Sequence, residues 1–252
     1  MKKDLLIIIP AYNEQESIDI LLDKMYSLKI DKIGDIVVIN DGSQDDTEKV
    51  VRQHNVTIIN KVCNMGYGSA LQVGYKYAKK NGYDYVIQID ADGQHDINNI
   101  NTIYNYFKNY GDDTPDIIIG SRFLEENNNL YISKIKYIAI SFFRLVIKVT
   151  TKENITDPTS GLQGLNKKAF SYYAGYGNFE YRYPDINMII QMIMRGYIIK
   201  EIPAIMYDRK TGESMHSGII RPIKYMVLIL LSTLNILIRN RKASVYRKER
   251  TK

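Results

Sequence analysis

Apolar residues in the first half of the chain fall in short unbroken blocks, which alternate with longer stretches where they recur every three or four positions. The blocks are "LLIII" (5–9), "DIVVIN" (35–40), "VTIIN" (56–60) and "YVIQID" (85–90). The periodic stretches cover about 14–28, the segment after Asp45, about 69–81 and about 98–109. A block apolar at consecutive positions is buried on both faces, and blocks separated by helices are joined by crossovers. The pattern therefore predicts an α/β, Rossmann-like fold with a mostly parallel sheet flanked by helices. A fifth block, "DIIIGSRF" (116–123), extends it.

After residue 124 the pattern changes. Segment 134–149 places Lys134, Tyr137, Ser141, Arg144 and Lys148 at steps of three and four, which predicts an amphipathic helix with a basic stripe. Residues 225–238, "YMVLILLSTLNILI", are almost continuously apolar over 14 positions, about 21 Å of helix against a hydrocarbon core of about 30 Å. Lys224, Ser232, Asn235 and Arg239 fall near one side of that helix. It reads as an interfacial helix, or as an ordinary packing helix, and not as a membrane span. The run "LEENNNLY" (124–131) reads as a mobile loop. Without a repeat or linker, residues 1–215 are expected to form one domain and 216–252 a C-terminal amphipathic extension.

The 252 residues are 45% apolar, enough for a sizeable core, and carry a formal charge of +6. That charge is local: residues 239–252 hold seven Lys/Arg against one Glu, and the rest of the chain is neutral. A basic tail behind an apolar helix suits an anionic membrane surface better than nucleic acid. The opening "MKKDLLIIIPAYNE" has an apolar run of five residues ending in Pro10, so it is expected to be a strand and not a signal peptide. Cys63 is the only cysteine, which leaves no internal disulfide and no cysteine-based zinc site; it is expected to be partly buried.

Open α/β sheets bind ligands at the carboxyl ends of their strands. Here those ends read "PAYNE", "NDGSQDDT", "NKVCNMGYGSA" and "DADGQH". Each alone can be turn chemistry; four together predict a small-molecule site. Asp90 and Asp92, one residue apart on a turn, suit Mg²⁺ or Mn²⁺ bridging to a diphosphate. His95 reads as a contributor to that site or, more commonly for a lone histidine, as an ordinary surface residue. Gly66 and Gly68 lack the third glycine of a dinucleotide fingerprint and no GK[ST] occurs, so dehydrogenase and P-loop chemistry are disfavoured.

In this order, "IIIPAYNEQESI", "VVINDGSQDDT", "NMGYGSALQVGYKYA", "VIQIDADGQH", "GSRF" and "ITDPTSGLQGLNKKAF" resemble the family 2 glycosyltransferases of GT-A fold, in particular the dolichyl- and polyprenyl-phosphate sugar transferases. The resemblance covers roughly residues 5–215. It implies inverting, metal-dependent transfer from a nucleoside-diphosphate sugar to a polyprenyl phosphate, or to a glycan acceptor. Pro10, Ala11, Tyr12, Glu14 and Asp41 match the nucleoside site, joined by Asp90 and Ala91. Asp90, Asp92 and Gln94 match the metal site. Arg122 matches an arginine near phosphate. Asp157, in "TDPTSG", matches a functional acid, or makes an Asx-type turn before Pro158. Asp185 stands where relatives in the wider family carry a base, or it N-caps the helix beginning near Ile186. "DRKTGES" resembles a lipid-phosphate segment through Arg209 and Ser214, with Met215 in place of its lysine. The implied setting is peripheral, at the cytoplasmic face of the cell membrane, with a small membrane-protein partner or a second copy of the chain.

Overall fold

The computed structural model describes residues 3–109, 111, 114–124, 132–208 and 225–239. A seven-stranded sheet runs through its centre: β1 (Leu5–Ala11), β2 (Asp35–Asn40), β3 (Thr57–Asn60), β4 (Tyr85–Gln88), β5 (Ile117–Ser121), β6 (Gln163–Asn166) and β7 (Ile199–Pro203). Their order across the sheet is β3-β2-β1-β4-β6-β5-β7. All pairings are parallel except those of β6, which runs antiparallel to both β4 and β5. The expected α/β architecture is the observed one, and the antiparallel β6 and the edge strand β7 are strands the apolar pattern did not announce.

Helices α1 (Gln15–Ser27), α2 (Ile30–Ile33), α3 (Thr47–Val51), α4 (Tyr67–Asn81) and α5 (Asn98–Asn109) connect the first five strands. Then come α6 (Lys134–Thr151), α7 (Lys167–Tyr173), α8 (Ile186–Met194) and α9 over 225–239. The apolar blocks of β1, β2, β4 and β5 are buried for the predicted reason, the two faces of the sheet feeding two separate cores, whereas β3, at the sheet edge, has no fully buried residue and corrects the expectation for that block. Leu6, Ile8, Val37 and Ile39 face α4, α7 and α8, while Leu5, Ile7, Ile9 and Val38 face α1 and α5.

Helix α4 begins two residues before Ser69, because Gly66 takes a φ of 101° and turns the chain directly into it. Close approach of backbone holds that corner. A Cβ on Gly68 would lie 2.0 Å from the Glu180 carbonyl oxygen, and Ser69 N–H donates to the Tyr181 carbonyl at 2.8 Å.

Candidate active site

Strand order reverses between β1 and β4, and the crevice outside their carboxyl ends gathers most of the expected residues. Because β6 runs the other way, the loop that precedes it, 157–162, lies at this same edge.

Pro10 and Ala11 close β1, and Tyr12 beyond them is 41% exposed, free to lie against a planar ligand. Glu14 N–H donates to Thr47 Oγ1 (2.9 Å), and its carboxylate accepts from Ser17, which ties β1 to the second strand-end loop. Asp41 is buried beside Ala11, to whose carbonyl its N–H donates at 2.9 Å. Its carboxylate accepts from Lys61 Nζ, from Met65 N–H (3.1 Å) and from Gly66 N–H (2.8 Å). Asp41 therefore shapes the loop after β3. Cys63, in that loop, is exposed and not partly buried. The loop turns outward over Gly42, where a Cβ would meet Cys63 and Asn64 backbone at 2.7–2.8 Å.

Asp90 and Asp92 follow β4. Tyr67 hydroxyl donates to Asp90 Oδ1 at 2.8 Å, and His95 Nε2 stands 3.6 Å from Asp90 Oδ2. Burial pushes the Asp90 carboxyl up, but His95, the Tyr67 hydroxyl and the Arg122 charge together hold it below the usual range. Asp92 Oδ1 accepts from Gln94 N–H at 3.1 Å, a turn that Gly93 permits with φ 72°. Gln94 side chain donates to the Tyr207 carbonyl (3.3 Å). The two carboxylates flank a tight turn, and Gly161 leaves room for that of Asp90: a Cβ there would lie 2.1 Å from Asp90 Oδ2.

His95 is 2% exposed, which corrects the surface reading; pairing with Met206 opposite draws it inside. Its Nδ1 has no hydrogen-bond partner among the described residues. No cluster of three protein ligands for a metal exists among the described residues. Two carboxylates one residue apart nonetheless fit Mg²⁺ or Mn²⁺, which characteristically takes one or two carboxylates and completes its shell with phosphate oxygens and water.

Arg122 follows β5 and is buried against Asp157. Its Nε donates to Asp157 Oδ2 at 2.6 Å, its Nη2 to Oδ1 at 2.9 Å and its backbone N–H to Oδ2 at 3.1 Å. From β7, Glu201 accepts the N–H groups of Thr156 and Asp157, both at 2.7 Å. Burial pushes the Glu201 carboxyl up, with the two N–H donors opposing. Arg144 of α6 donates to the Thr156 carbonyl at 2.6 Å and its guanidinium stands 4.2 Å from the centre of the Phe123 ring. This side of the crevice is a braced polar corner.

Asp185 sits at the N-cap position of α8, but its side chain makes no cap. Asn187 Oδ1 accepts from the N–H of Asp185 (2.8 Å) and of Met188 (2.9 Å) instead. That releases Asp185 Oδ2 to accept from the Tyr225 hydroxyl at 2.7 Å. Burial pushes the Asp185 carboxyl up to about 6; Tyr225 opposes the rise and the Asp90 charge adds to it. Arg209 and Ser214 lie outside the described residues.

Residues 6–173 match the sequence pattern of Glycosyl transferase family 2. The chain belongs to that family. The undecaprenyl-phosphate mannosyltransferase of Micrococcus luteus is 26% identical over 225 residues, covering 84% of this chain and 87% of that protein. The UDP-N-acetylglucosamine–dolichyl-phosphate N-acetylglucosaminyltransferase of Methanococcus voltae is 29% identical over 183 residues, 65% of this chain and 69% of that one. In fold, this glycosyltransferase is similar to glucosyl-3-phosphoglycerate synthase from Mycobacterium tuberculosis, solved with Mn²⁺, uridine diphosphate and phosphoglyceric acid. The TM-score is 0.65 at 16% identity, over 93% of this chain and 78% of that one.

Sequence reasoning did not anticipate Lys61, Tyr67, Glu201 or Tyr225 in this glycosyltransferase. Tyr67 and Lys61 stand within a quoted motif, so their proximity to the strand ends was a usable signal. Glu201 and Tyr225 reach the crevice from 44 and 40 residues away from their partners Asp157 and Asp185, and no local pattern marks them.

Proposed function

We propose that the chain transfers a hexosyl or N-acetylhexosaminyl group, with inversion, from a nucleoside-diphosphate sugar to a polyprenyl phosphate, as a peripheral enzyme at the cytoplasmic membrane face. Residues 1–215 supply the transferase unit and 216–252 its extension. The carrying observation is how the two acids beyond the Asp90–Asp92 pair are used. Asp157 is bound through both oxygens by Arg122, and Asp185 is bound by Tyr225. A sugar hydroxyl acceptor needs a base, whereas a phosphate monoester, with a second pKa of about 6, is already ionised at neutral pH. Carboxylates engaged in holding the wall suit the acceptor that needs no proton removed.

In this reading the base of the nucleotide lies against Tyr12 and Asp41, with Glu14 on the ribose side. Mg²⁺ or Mn²⁺ held by Asp90 and Asp92, assisted by Gln94, supplies positive charge against the departing diphosphate. Asp157 orients Arg122 so that the outer part of its fork faces phosphate. Arg209 and Ser214 belong to the acceptor phosphate by motif. A saccharide acceptor is the second reading, and one observation favours it: Asp185, pushed up to about 6, is poised near neutrality as a general base would be.

The test is incubation with Mn²⁺, radiolabelled UDP- and GDP-sugars, and undecaprenyl phosphate together with a cell-surface glycan as competing acceptors. Label in an organic-soluble, mild-acid-labile product supports the lipid acceptor. Label only in glycan, abolished by Asp185→Asn, would replace it with the second reading.

A further inference from the structure

Helices α6 and α9 are apolar on both of their sides. On α6, Ile140, Phe143 and Ile147 are buried, while Ile138, Phe142, Leu145 and Val149, on the opposite side, are 36–66% exposed. On α9, Tyr225, Ile229, Ser232, Ile236 and Arg239 share the inner side. Ile229 and Ile236 are buried, Ser232 bonds to Asn187 and Glu180 at 2.9 Å each, and Arg239 donates to Gln191 and the Gly177 carbonyl. Val227, Leu231, Leu234 and Ile238, opposite them, are 49–58% exposed. Ser232 and Arg239, from the polar side seen in the sequence, grip the body of the protein, and the aliphatic side is the one presented outward.

The outward stripes share one spacing, i, i+4, i+7 and i+11, and each extends about 16 Å. They stand on neighbouring helices, since Phe143 and Tyr225 pack ring to ring at 6.1 Å and both helices rest on the core that includes α8. Scattered apolar side chains are ordinary on a surface, but two continuous stripes on neighbouring helices are not. Their charge pattern points to the partner. Neither helix contains Asp or Glu, Lys134 and Lys148 are exposed along the margin of the α6 stripe, and α9 leads at Arg239 into the basic segment 239–252. Among the described residues no helix is long and apolar enough to cross a membrane.

We propose that this face of α6 and α9 docks on an anionic lipid surface, the two aliphatic stripes entering the headgroup–acyl boundary and the lysines meeting lipid phosphates. The inference takes its purpose from the lipid-phosphate reading above, because α9 also carries Tyr225 to Asp185 and so joins the docking face to the crevice. Docking is measured without turnover, so the two stand or fall separately.

The chain contains no tryptophan, so Leu231→Trp and Leu145→Trp each install a single reporter in the full-length protein. Emission is expected to shift to the blue on adding phosphatidylcholine vesicles that contain phosphatidylglycerol, and less with phosphatidylcholine alone. Leu145→Asp with Leu231→Asp should lower vesicle co-sedimentation at least about tenfold, with the thermal shift given by UDP or GDP and Mn²⁺ unchanged. Emission that ignores vesicles would overturn the proposal. So would a blue shift that appears without lipid and grows with protein concentration, which would assign the face to a second copy of the chain. Vesicle binding without transfer to undecaprenyl phosphate would leave the docking face standing and remove the acceptor reading.

Discussion

Asp157→Ala is the substitution whose outcome follows most directly from the geometry. It removes the acceptor of three Arg122 donors, at 2.6, 2.9 and 3.1 Å, in a place where Arg122 is 8% and Asp157 0% exposed. A guanidinium stranded away from water costs more than the pair was worth, and truncating one partner of a buried pair typically costs about 3–5 kcal/mol. For a chain of this length each kcal/mol is worth about 2–4 °C, so the melting temperature should fall by about 6–20 °C. The double variant Arg122→Met with Asp157→Leu should recover most of that loss, because it leaves no uncompensated charge. Circular dichroism melts and urea titrations of the two singles and the double give the coupling energy directly. A cost below about 1 kcal/mol for Asp157→Ala, or single-variant costs that simply add in the double, would refute a mutually dependent pair. Activity gives a separate check: as an orienting group, Asp157 replaced by Asn should lower kcat without removing the acidic limb of the pH profile, which loss of a base would remove.

Three further outcomes follow from the same geometry. Asp92→Asn should lower turnover by about 10²-fold or more with the melting temperature nearly unchanged, and isothermal titration should show weakened Mn²⁺ binding in the presence of nucleoside diphosphate. Gly161→Ala places a methyl 2.1 Å from Asp90 Oδ2, so it should cost about 1–3 kcal/mol in urea denaturation and abolish turnover as Asp92→Asn does. Asp185 binds its proton more tightly folded, at about 6, than its ordinary value of 3.8. Its contribution to stability is therefore full below about pH 4 and is lost as pH rises toward 6, by up to about 3 kcal/mol. Urea midpoints of wild type minus Asp185→Asn across pH 4–7 should show that slope, and parallel curves would refute it.

The parallel half of the sheet was legible because its signal is local. A strand such as "LLIII" buried on both faces must be apolar throughout, and α5 announced its own limits, Asn98–Asn109, by periodicity. Strand β6, "QGLN", carries no β-branched residue and has a glycine inside it. Its place is fixed by contact: a Cβ on Gly164 would lie 2.3 Å from Ile103 and 2.8 Å from Phe107, so the strand exists where α5 presses closest on the sheet. Cys63 and His95 were misplaced for a related reason. Burial of a single small or polar side chain depends on what the rest of the fold brings over it, not on its neighbours in sequence.

The direction of β6 also decides how much of the crevice can be read in advance. Arg122 follows β5 directly, and Asp157 precedes β6 by six residues. With β6 antiparallel, its beginning lies beside the end of β5, where Gly120 N–H donates to the Leu162 carbonyl at 3.0 Å and Ser160 hydroxyl to the Gly120 carbonyl at 2.6 Å. A parallel β6 would put Asp157 at the opposite edge of the sheet, away from Arg122, and leave the arginine's charge to be met by something else. The motif "TDPTSG" therefore identifies an acid without its partner. The partner follows only from strand direction, and with it the conclusion that this carboxylate spends both oxygens holding an arginine. The same reasoning applies to Asp185, whose N-cap position is visible in the sequence. What frees its side chain for Tyr225 is that Asn187, two residues on, takes over the cap.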